Sequence, residues 1–182
     1  MHTSLVFALP YNRLMPTIRP AITADLPAIL NLVRHVVPLM QASGNQQWSA
    51  DYPNEEVFRQ DIAREQLWVA ELDGQIAGVA ALTQDQDEEY AQADWDPTET
   101  AIVTHRLAVD PNAQGKGVAA ALLDQAEKLA RAWGLKSLRV DTNSENAATQ
   151  RLFPKLGYRF AGEITLAFRP GLRFFCYEKR LE

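Results

Sequence analysis

Two predicted strands joined by a long helix occupy residues 101–141 and limit the folds open to this chain. Residues 101–109 are rich in β-branched and apolar side chains, as expected of a buried strand. Apolar residues then recur at helical spacing from Val118 to Trp133, and Gly134 follows as the expected C-terminal cap. A helical crossover of this kind predicts that the strands at 101–109 and 138–141 lie parallel.

The rest of the pattern predicts an α/β domain of the α+β type. A short strand and two helices come first, a hairpin turns at Asp73-Gly74, and a helix with two closing strands ends the chain. We expect Pro38 to end or kink the first helix. The order β-α-α-β-β-β-α-β-α-β-β predicts a mixed, mostly antiparallel central sheet with helices on both faces. These further elements are predicted at residues 17–19, 23–38, 54–65, 67–71, 75–82, 147–155, 157–168 and 172–179.

Length and hydropathy favour one globular domain. A chain of 182 residues, 47% of them hydrophobic, is long enough to bury a single core. We expect this domain to span residues 15–182, with residues 1–14 as an N-terminal extension. No segment approaches the roughly 20 apolar residues of a membrane span, and the first residues lack a signal-peptide pattern.

Net charge indicates which kinds of partner the chain favours, and cysteine content indicates which compartment it fits. The net charge of −5 disfavours nucleic acid, whose phosphates bind clustered Lys and Arg, and mildly favours a cationic substrate such as an amine. Cys176 is the only cysteine, so no intramolecular disulfide can form, which fits a cytoplasmic location. We predict no metal, no nucleic acid and no membrane partner, and we leave a homodimer open.

The most informative local motif is the turn Gln114-Gly115-Lys116-Gly117-Val118-Ala119, which lies between a predicted strand and a predicted helix. The first turn of a helix has backbone N–H groups without intrahelical partners and a partial positive charge, so it attracts anions. Two glycines leave these amides uncovered, and Lys116 adds a point charge. We therefore predict that the turn binds a pyrophosphate.

Two other nucleotide motifs fit this turn less well. A kinase-type P-loop needs a glycine where Asp110 stands and a Ser or Thr after the lysine, where Gly117 stands. A dinucleotide fingerprint is matched by Gly115, Gly117 and Ala120, and Asp141 ends the next strand. However, only about forty residues follow Asp141, and they predict a short helix and a hairpin rather than more β-α-β units. A small dinucleotide-binding oxidoreductase is therefore the weaker alternative.

The turn and its flanks resemble the GNAT superfamily of N-acetyltransferases. Gln114, Gly117 and Ala119 match the cofactor motif Q/R-x-x-G-x-G/A of that family, and neighbouring segments resemble its L-x-V-x-P, N-x-x-A and L-Y-x-x-L-G-F/Y signatures. The resemblance covers residues 15–182 and implies an acyl-CoA N-acyltransferase fold. It further implies direct transfer of acetyl from acetyl-CoA to a primary amine of a small molecule or peptide. The segments that carry the likeness are residues 105–111, 114–119, 146–147 and 152–158.

The resemblance also implies where the cofactor binds. In this family the sheet opens after the fourth strand, and the pantetheine arm of CoA lies in the gap. Main-chain groups of the strand hold the arm and the thioester, and the N–H of Ala108 or Val109 is expected to stabilise the oxyanion. Asn146 is expected to reach pantetheine, or else only to cap the following helix. The implied cofactor-binding residues are Leu107, Ala108, Val109, Gln114, Gly115, Lys116, Gly117, Val118, Ala119, Asn146 and Phe153.

The catalytic residues depart from the family pattern. Phe153 stands where the family often has a tyrosine that protonates the leaving thiolate, and Tyr158 and Tyr177 are weak substitutes. The acidic base often found before the L-x-V segment is replaced by His105 and Arg106. His105 has the intrinsic pKa of a base near neutrality, whereas Arg106 could bind a substrate carboxylate or pair with an acidic neighbour. On a regular strand these two side chains face opposite sides.

Aromatic residues in two loops are the remaining candidates for the acceptor pocket, because aromatics on loops often form binding walls. The segment Asp141-Thr142-Asn143 at a predicted strand end could also face the cleft, or it could cap the next helix. The departure at Phe153 and the missing acidic base keep open an acyl-CoA-binding module with degraded catalysis as a second function. The predicted acceptor-binding residues are Trp48, Tyr52, Tyr90, Trp95 and Arg106.

Overall fold

One seven-stranded sheet organises residues 15–182, the part of the chain that the computed structural model describes. The strands are β1 (Thr17–Pro20), β2 (Leu67–Leu72), β3 (Gln75–Thr83), β4 (Ile102–Val109), β5 (Ser137–Asn143), β6 (Arg159–Ile164) and β7 (Phe174–Arg180). Their order in the sheet is β1-β2-β3-β4-β5-β7-β6. Only β4 and β5 pair in parallel, and the other five neighbouring pairs are antiparallel. The predicted mixed, mostly antiparallel sheet is confirmed, and the predicted extension at 1–14 lies outside the described residues.

Helices cover both faces of this sheet, as predicted. Alternate strand residues point to opposite faces, so Leu82 packs in the core beneath the helix at 118–132 while Val79 packs in the core beneath the helix at 26–42. The order of strands and helices agrees with the sequence prediction throughout these residues. A doubly wound parallel sheet, which the dinucleotide-binding alternative requires, is absent from residues 15–182. The helices are α1 (Leu26–Ala42), α2 (Glu55–Ala63), α3 (Val118–Ala132) and α4 (Ala147–Lys155).

The long segment between β3 and β4 is held against the sheet by a buried arginine. Arg139 on β5 has no exposed surface; it bonds to the carboxylate of Glu178, the side chain of Gln86 and the carbonyl of Asp96. Its guanidinium also lies 4.7 Å from the ring centroid of Trp95. Because a buried charge is tolerated only when it is paired and hydrogen-bonded, these contacts fix the segment in place.

Two details of the helices differ from the sequence prediction. The first helix continues through Pro38 to Ala42, because Val36 and Val37 are buried immediately before the proline and hold this part of the helix in the core. Trp133, predicted on the packed face of α3, is 51% exposed because it follows the last helical residue as the C-cap. Within the described residues, no helix has the length and apolar character needed to cross a membrane.

Candidate active site

The parallel strands β4 and β5 separate soon after they begin. Their last paired residues are Thr104 and Val140, although β4 continues to Val109 and β5 to Asn143. The main chain of β4 therefore loses its neighbour on this side over its second half. The opening of the sheet implied by the family resemblance is present.

The gap between these strands leads into a cavity of about 600 Å³. The glycine-bearing turn and the first residues of α3 form part of its wall. The wall also includes Trp48 and Tyr52, from the segment between α1 and α2, and Phe168 and Arg169, from the segment between β6 and β7. A single cavity thus connects the predicted phosphate site with part of the predicted acceptor site.

A β-bulge reshapes β4 where it borders this cavity. Val79 pairs with Ala108 and Ala81 pairs with His105, so two residues of β4 lie opposite the single residue between them on β3. Arg106 takes a φ of 52° in the bulge, and both His105 and Arg106 line the cavity. The expectation that these side chains face opposite sides is wrong here, because it assumed a regular strand.

The pairing of β4 with β3 also fixes which main-chain groups face the gap. The N–H of Asp110 donates to the carbonyl of Ala77 at 2.8 Å, so this residue directs its main chain toward β3. Because main-chain groups alternate along a strand, those of Val109 point to the gap and those of Ala108 point to β3. The geometry therefore favours Val109 and argues against the expected oxyanion role of the Ala108 N–H.

The predicted phosphate-binding turn has its amides uncovered. Gly115 and Gly117 have φ values of 74° and 83°, in the left-handed region that favours glycine. Gly117 is the N-cap of α3 and offers no side chain to its first amides, and no atom lies within 4 Å of the place where its Cβ would be. Gln114, Val118 and Ala119 line the cavity, whereas Lys116 is exposed and lies outside its wall. Any contribution of Lys116 to phosphate binding must come from its charge beside the turn.

Asn146, which precedes α4, and Phe153, which lies within it, are predicted to contact the cofactor, and both line the cavity. Asn146 also caps α4, because its Oδ1 accepts a hydrogen bond from the Thr149 N–H at 3.3 Å. Phe153 is 1% exposed, with its ring centroid 5.2 Å from that of Tyr177. Tyr177 and Tyr158 do not line the cavity, and burial raises the pKa of both phenols. Neither tyrosine is therefore placed to replace the missing proton donor.

A half-buried carboxylate lies on the cavity wall just beyond the separation of the strands. Asp141 follows Val140 on β5, and its Oδ2 accepts a hydrogen bond from the Tyr90 hydroxyl at 2.5 Å. Burial raises the pKa of Asp141, while the hydrogen bond from Tyr90 and the charge of His105 act in the opposite direction. A carboxylate that binds protons more readily than usual is suited to proton transfer near neutrality.

Tyr90 and Trp95 support this carboxylate rather than forming a wall of the cavity. Tyr90 is buried, and its hydroxyl is committed to Asp141. The indole Nε1 of Trp95 donates to the Tyr90 carbonyl at 2.9 Å. Neither side chain lines the cavity, so the prediction that both bind the acceptor is not supported, whereas Trp48 and Tyr52 do line it. The ring of His105 stacks beside Tyr90 at 6.5 Å between centroids.

Arg106 is paired with a carboxylate of the protein. Its Nε and Nη2 donate to the two oxygens of Asp61 on α2, at 2.7 and 2.8 Å. Of the two roles considered for Arg106, pairing with an acidic neighbour is the one present. No local sequence pattern indicates this pair, because Asp61 precedes Arg106 by 45 residues and lies on a different element.

The Arg106–Asp61 pair should contribute strongly to stability. We expect Asp61→Ala to lower the free energy of unfolding by roughly 2–3 kcal/mol, because Arg106 would keep a largely buried charge without a partner. Urea denaturation followed by circular dichroism measures this. Arg59→Ala is the matched control, since it breaks an exposed pair with Glu55 on the same helix and should cost less than about 0.5 kcal/mol. Equal losses in the two variants would contradict the expectation.

Sequence and structure comparisons identify relatives across most of the chain. A sequence model of the acetyltransferase (GNAT) family matches residues 34–158. The L-methionine sulfoximine/L-methionine sulfone acetyltransferase of Pseudomonas aeruginosa is 29% identical over 153 residues, which cover 81% of this chain and 83% of the relative.

Solved structures share the fold described above. A GNAT-family acetyltransferase from Streptococcus agalactiae has a TM-score of 0.80 and 28% identity, covering 92% of this chain and 96% of the other. A structure from Salmonella typhimurium, solved with its cofactor acetyl-CoA, has a TM-score of 0.66 and covers 92% of this chain and 94% of the other. At its 22% identity, the second likeness shows the fold alone.

Proposed function

The chain belongs to the acetyltransferase (GNAT) family and is an acetyl-CoA-dependent N-acetyltransferase, and we propose that its acceptor is the primary amine of a small molecule bound beside Asp141. The observation that carries this proposal is the separation of β4 from β5 after Thr104 and Val140, which opens the cavity where the half-buried carboxylate of Asp141 follows. The cavity joins this carboxylate to a turn suited to phosphates.

The residues at the turn fit the cofactor. Uncovered amides at Gly117 and the start of α3 suit a pyrophosphate, and the main-chain edge of β4 at Val109 suits an amide-bearing arm. Acetyl-CoA supplies the acetyl group there as a thioester. We propose Leu107, Val109, Asn146 and Phe153 for the pantetheine arm, since all four line the gap. For the phosphates we propose Gln114, Gly115, Gly117, Val118 and Ala119, with Lys116 acting from outside the wall.

Asp141 is the residue that we propose as the general base. An alkyl ammonium with a pKa near 10.4 is almost entirely protonated at pH 7, and only the neutral amine has a lone pair for attack. Because the Tyr90 hydroxyl already donates to Oδ2 of Asp141, we assign Oδ1 as the atom that takes the proton from the acceptor ammonium. Asp87 also lines the cavity and adds negative charge that attracts a cation.

A small acceptor suits this cavity better than a long peptide. Arg169 stacks over Tyr52, with 4.4 Å between the guanidinium carbon and the ring centroid, so two separate segments meet at the acceptor end. The relative from Pseudomonas aeruginosa is named for acetylation of L-methionine sulfoximine and L-methionine sulfone, which are small amines. In this proposal Asp141 takes the place of the acidic base that is missing before the L-x-V segment, and we therefore favour a catalyst over a binding module.

A screen of acceptors tests the proposal. We expect acetyl-CoA to release CoA thiol, detected with a chromogenic disulfide, in the presence of at least one class among amino acids, aliphatic amines and polyamines. Short peptides with free N-termini serve as the comparison class. Turnover confined to the peptides, or no turnover with any acceptor, would count against a small-molecule acetyltransferase.

His105 is proposed to act through Asp141. Its charge lowers the pKa of that carboxyl, so we expect His105→Ala to raise the pKa and to reduce kcat at pH 7 by about 3- to 10-fold. The rising limb of the pH–kcat profile should move to higher pH, while the Kd of CoA measured by calorimetry stays unchanged. An unaltered pH profile would remove His105 from the active site.

Other expectations from the sequence remain proposals. We propose that residues 15–182 form a single catalytic domain and that the protein acts in the cytoplasm. Expression of residues 15–182 alone should give full activity, and cell fractionation should find the protein with cytoplasmic enzymes. Light scattering of the purified protein decides whether it forms a homodimer.

A further inference from the structure

Arg169 differs from the other positive groups that line the cavity. Among residues 15–182, the guanidinium of Arg106 is neutralised by Asp61, and the Nε2 of His105 lies 3.2 Å from the carbonyl of Asp85. Arg169 forms no ion pair with any carboxylate in that same part of the chain. Its positive charge is therefore not neutralised by the protein at the wall of the acceptor site.

The surroundings of Arg169 hold its side chain over the cavity. Its main-chain N–H donates to the Leu166 carbonyl at 2.9 Å, and its own carbonyl accepts from the Leu172 N–H at 3.2 Å, which closes a turn between β6 and β7. The guanidinium carbon lies 4.4 Å from the Tyr52 ring centroid and 5.5 Å from that of Phe168. The aromatic contacts fix the plane of the group.

Such stacking leaves the hydrogen-bonding edge of a guanidinium available. Aromatic rings contact its face, whereas its N–H donors lie in its plane and form a fork that matches a carboxylate. Within the described residues, no side-chain hydrogen bond from Arg169 to another residue is present. Arg169 thus combines a fixed position with unused donors.

The same cavity also carries the opposite charge. Asp141 and Asp87 line it from β5 and from the segment after β3, whereas Arg169 comes from the segment between β6 and β7. Apolar side chains of α1, Val36 and Met40, line the same cavity. An acceptor that complements this wall has a positive group, a negative group and an apolar substituent.

We propose that Arg169 binds the carboxylate of the acceptor, and that the acceptor is an α-amino acid with an apolar side chain. This inference rests on the proposed function, because it takes the amine to lie beside Asp141. The carboxylate would form a bidentate pair with the guanidinium stacked on Tyr52. The apolar side chain would lie against Val36 and Met40.

Matched pairs of acceptors test the role of Arg169. Each pair consists of an amino acid and the amine that remains without its carboxylate: L-leucine with isopentylamine, L-methionine with 3-(methylthio)propylamine, and L-phenylalanine with phenethylamine. We expect the wild-type protein to favour at least one amino acid over its partner amine in kcat/KM. In Arg169→Gln, kcat/KM for that amino acid should fall about 10- to 100-fold through a higher KM. The kcat/KM for the partner amine should stay within about 3-fold of the wild-type value.

Arg173→Gln is the matched control. Arg173 lies near the same turn, is paired with Glu163 and does not line the cavity, so its loss should leave the preference for amino acids unchanged. Acetylation of the amines without preference for a carboxylate, or an equal loss on both members of a pair in Arg169→Gln, would overturn this inference but not the proposed function. Absence of turnover with every amino acid and every amine would overturn both.

Discussion

Replacement of Gly117 by tryptophan is expected to abolish CoA binding in a protein that still folds. Gly117 is the N-cap of α3, and no atom lies within 4 Å of its missing Cβ. A large side chain there would project into open space in front of the helix amides, where the phosphates are proposed to bind. We expect the Kd of CoA, measured by isothermal titration calorimetry, to rise at least about 100-fold, because several charge-assisted hydrogen bonds would be lost together.

Backbone strain is a separate consequence of this substitution, and a control isolates it. Gly117 has a φ of 83°, which any side chain adopts at a cost of roughly 1–2 kcal/mol. Gly74 in the β2–β3 hairpin has a φ of 73°, has no atom within 4 Å of its missing Cβ, and does not line the cavity. Gly74→Trp should therefore lose similar stability and keep CoA binding.

A truncated donor locates the effect of Gly117→Trp at the phosphates. S-acetylpantetheine has the thioester arm without the pyrophosphate, so its acetyl transfer should be similar in the wild type and in Gly117→Trp. A folded Gly117→Trp protein that binds CoA as tightly as the wild type would contradict the assignment of the turn.

The turn and the order of strands and helices could be predicted because both depend on local sequence. Gly115 and Gly117 occur where a strand-like run changes into helical spacing, and that change alone marks a helix N-terminus. Both residues have the left-handed φ values that glycine allows. The parallel arrangement of β4 and β5 follows from the crossover between them.

The acceptor site could be predicted only in part, because its polar groups meet across distant segments. Tyr90 precedes its partner Asp141 by 51 residues, and neither position shows a local pattern that indicates the contact. The bulge at Arg106 depends on how β4 pairs with β3, which a strand pattern does not encode. Arg169 lies in a short turn segment whose sequence fitted an ordinary connection.

Replacement of Asp141 by asparagine should reduce catalysis without loss of fold. Asparagine has nearly the same shape, and its side-chain oxygen can still accept the hydrogen bond from Tyr90. The amide cannot take a proton from the acceptor ammonium, so we expect kcat to fall by about 100-fold or more, the usual contribution of a general base. The Kd of CoA should change little, because Asp141 is proposed to contact the acceptor amine rather than the phosphates or the pantetheine arm.

The pH dependence provides a second measurement of the same role. Asp141 must be ionised to act as a base, so wild-type kcat should rise as the pH passes through the raised pKa of Asp141. This rising limb of the pH–kcat profile should be missing in Asp141→Asn. Tyr90→Phe removes a hydrogen bond that favours the ionised form of Asp141, so the rising limb of the pH–kcat profile of this variant should move to higher pH.

As the pH rises, the contribution of Asp141 to folding stability should fall while kcat rises. A carboxyl whose pKa is higher in the folded protein than in the unfolded chain binds protons more tightly when folded, so it favours folding only at low pH. This contribution is lost as the pH rises from the unfolded pKa through the folded pKa, above which the partly desolvated charge of Asp141 costs stability. Asp141→Asn should therefore have a Tm equal to or above that of the wild type at pH 7. A variant that unfolds earlier, or one that keeps its full kcat, would show that Asp141 is structural rather than the base.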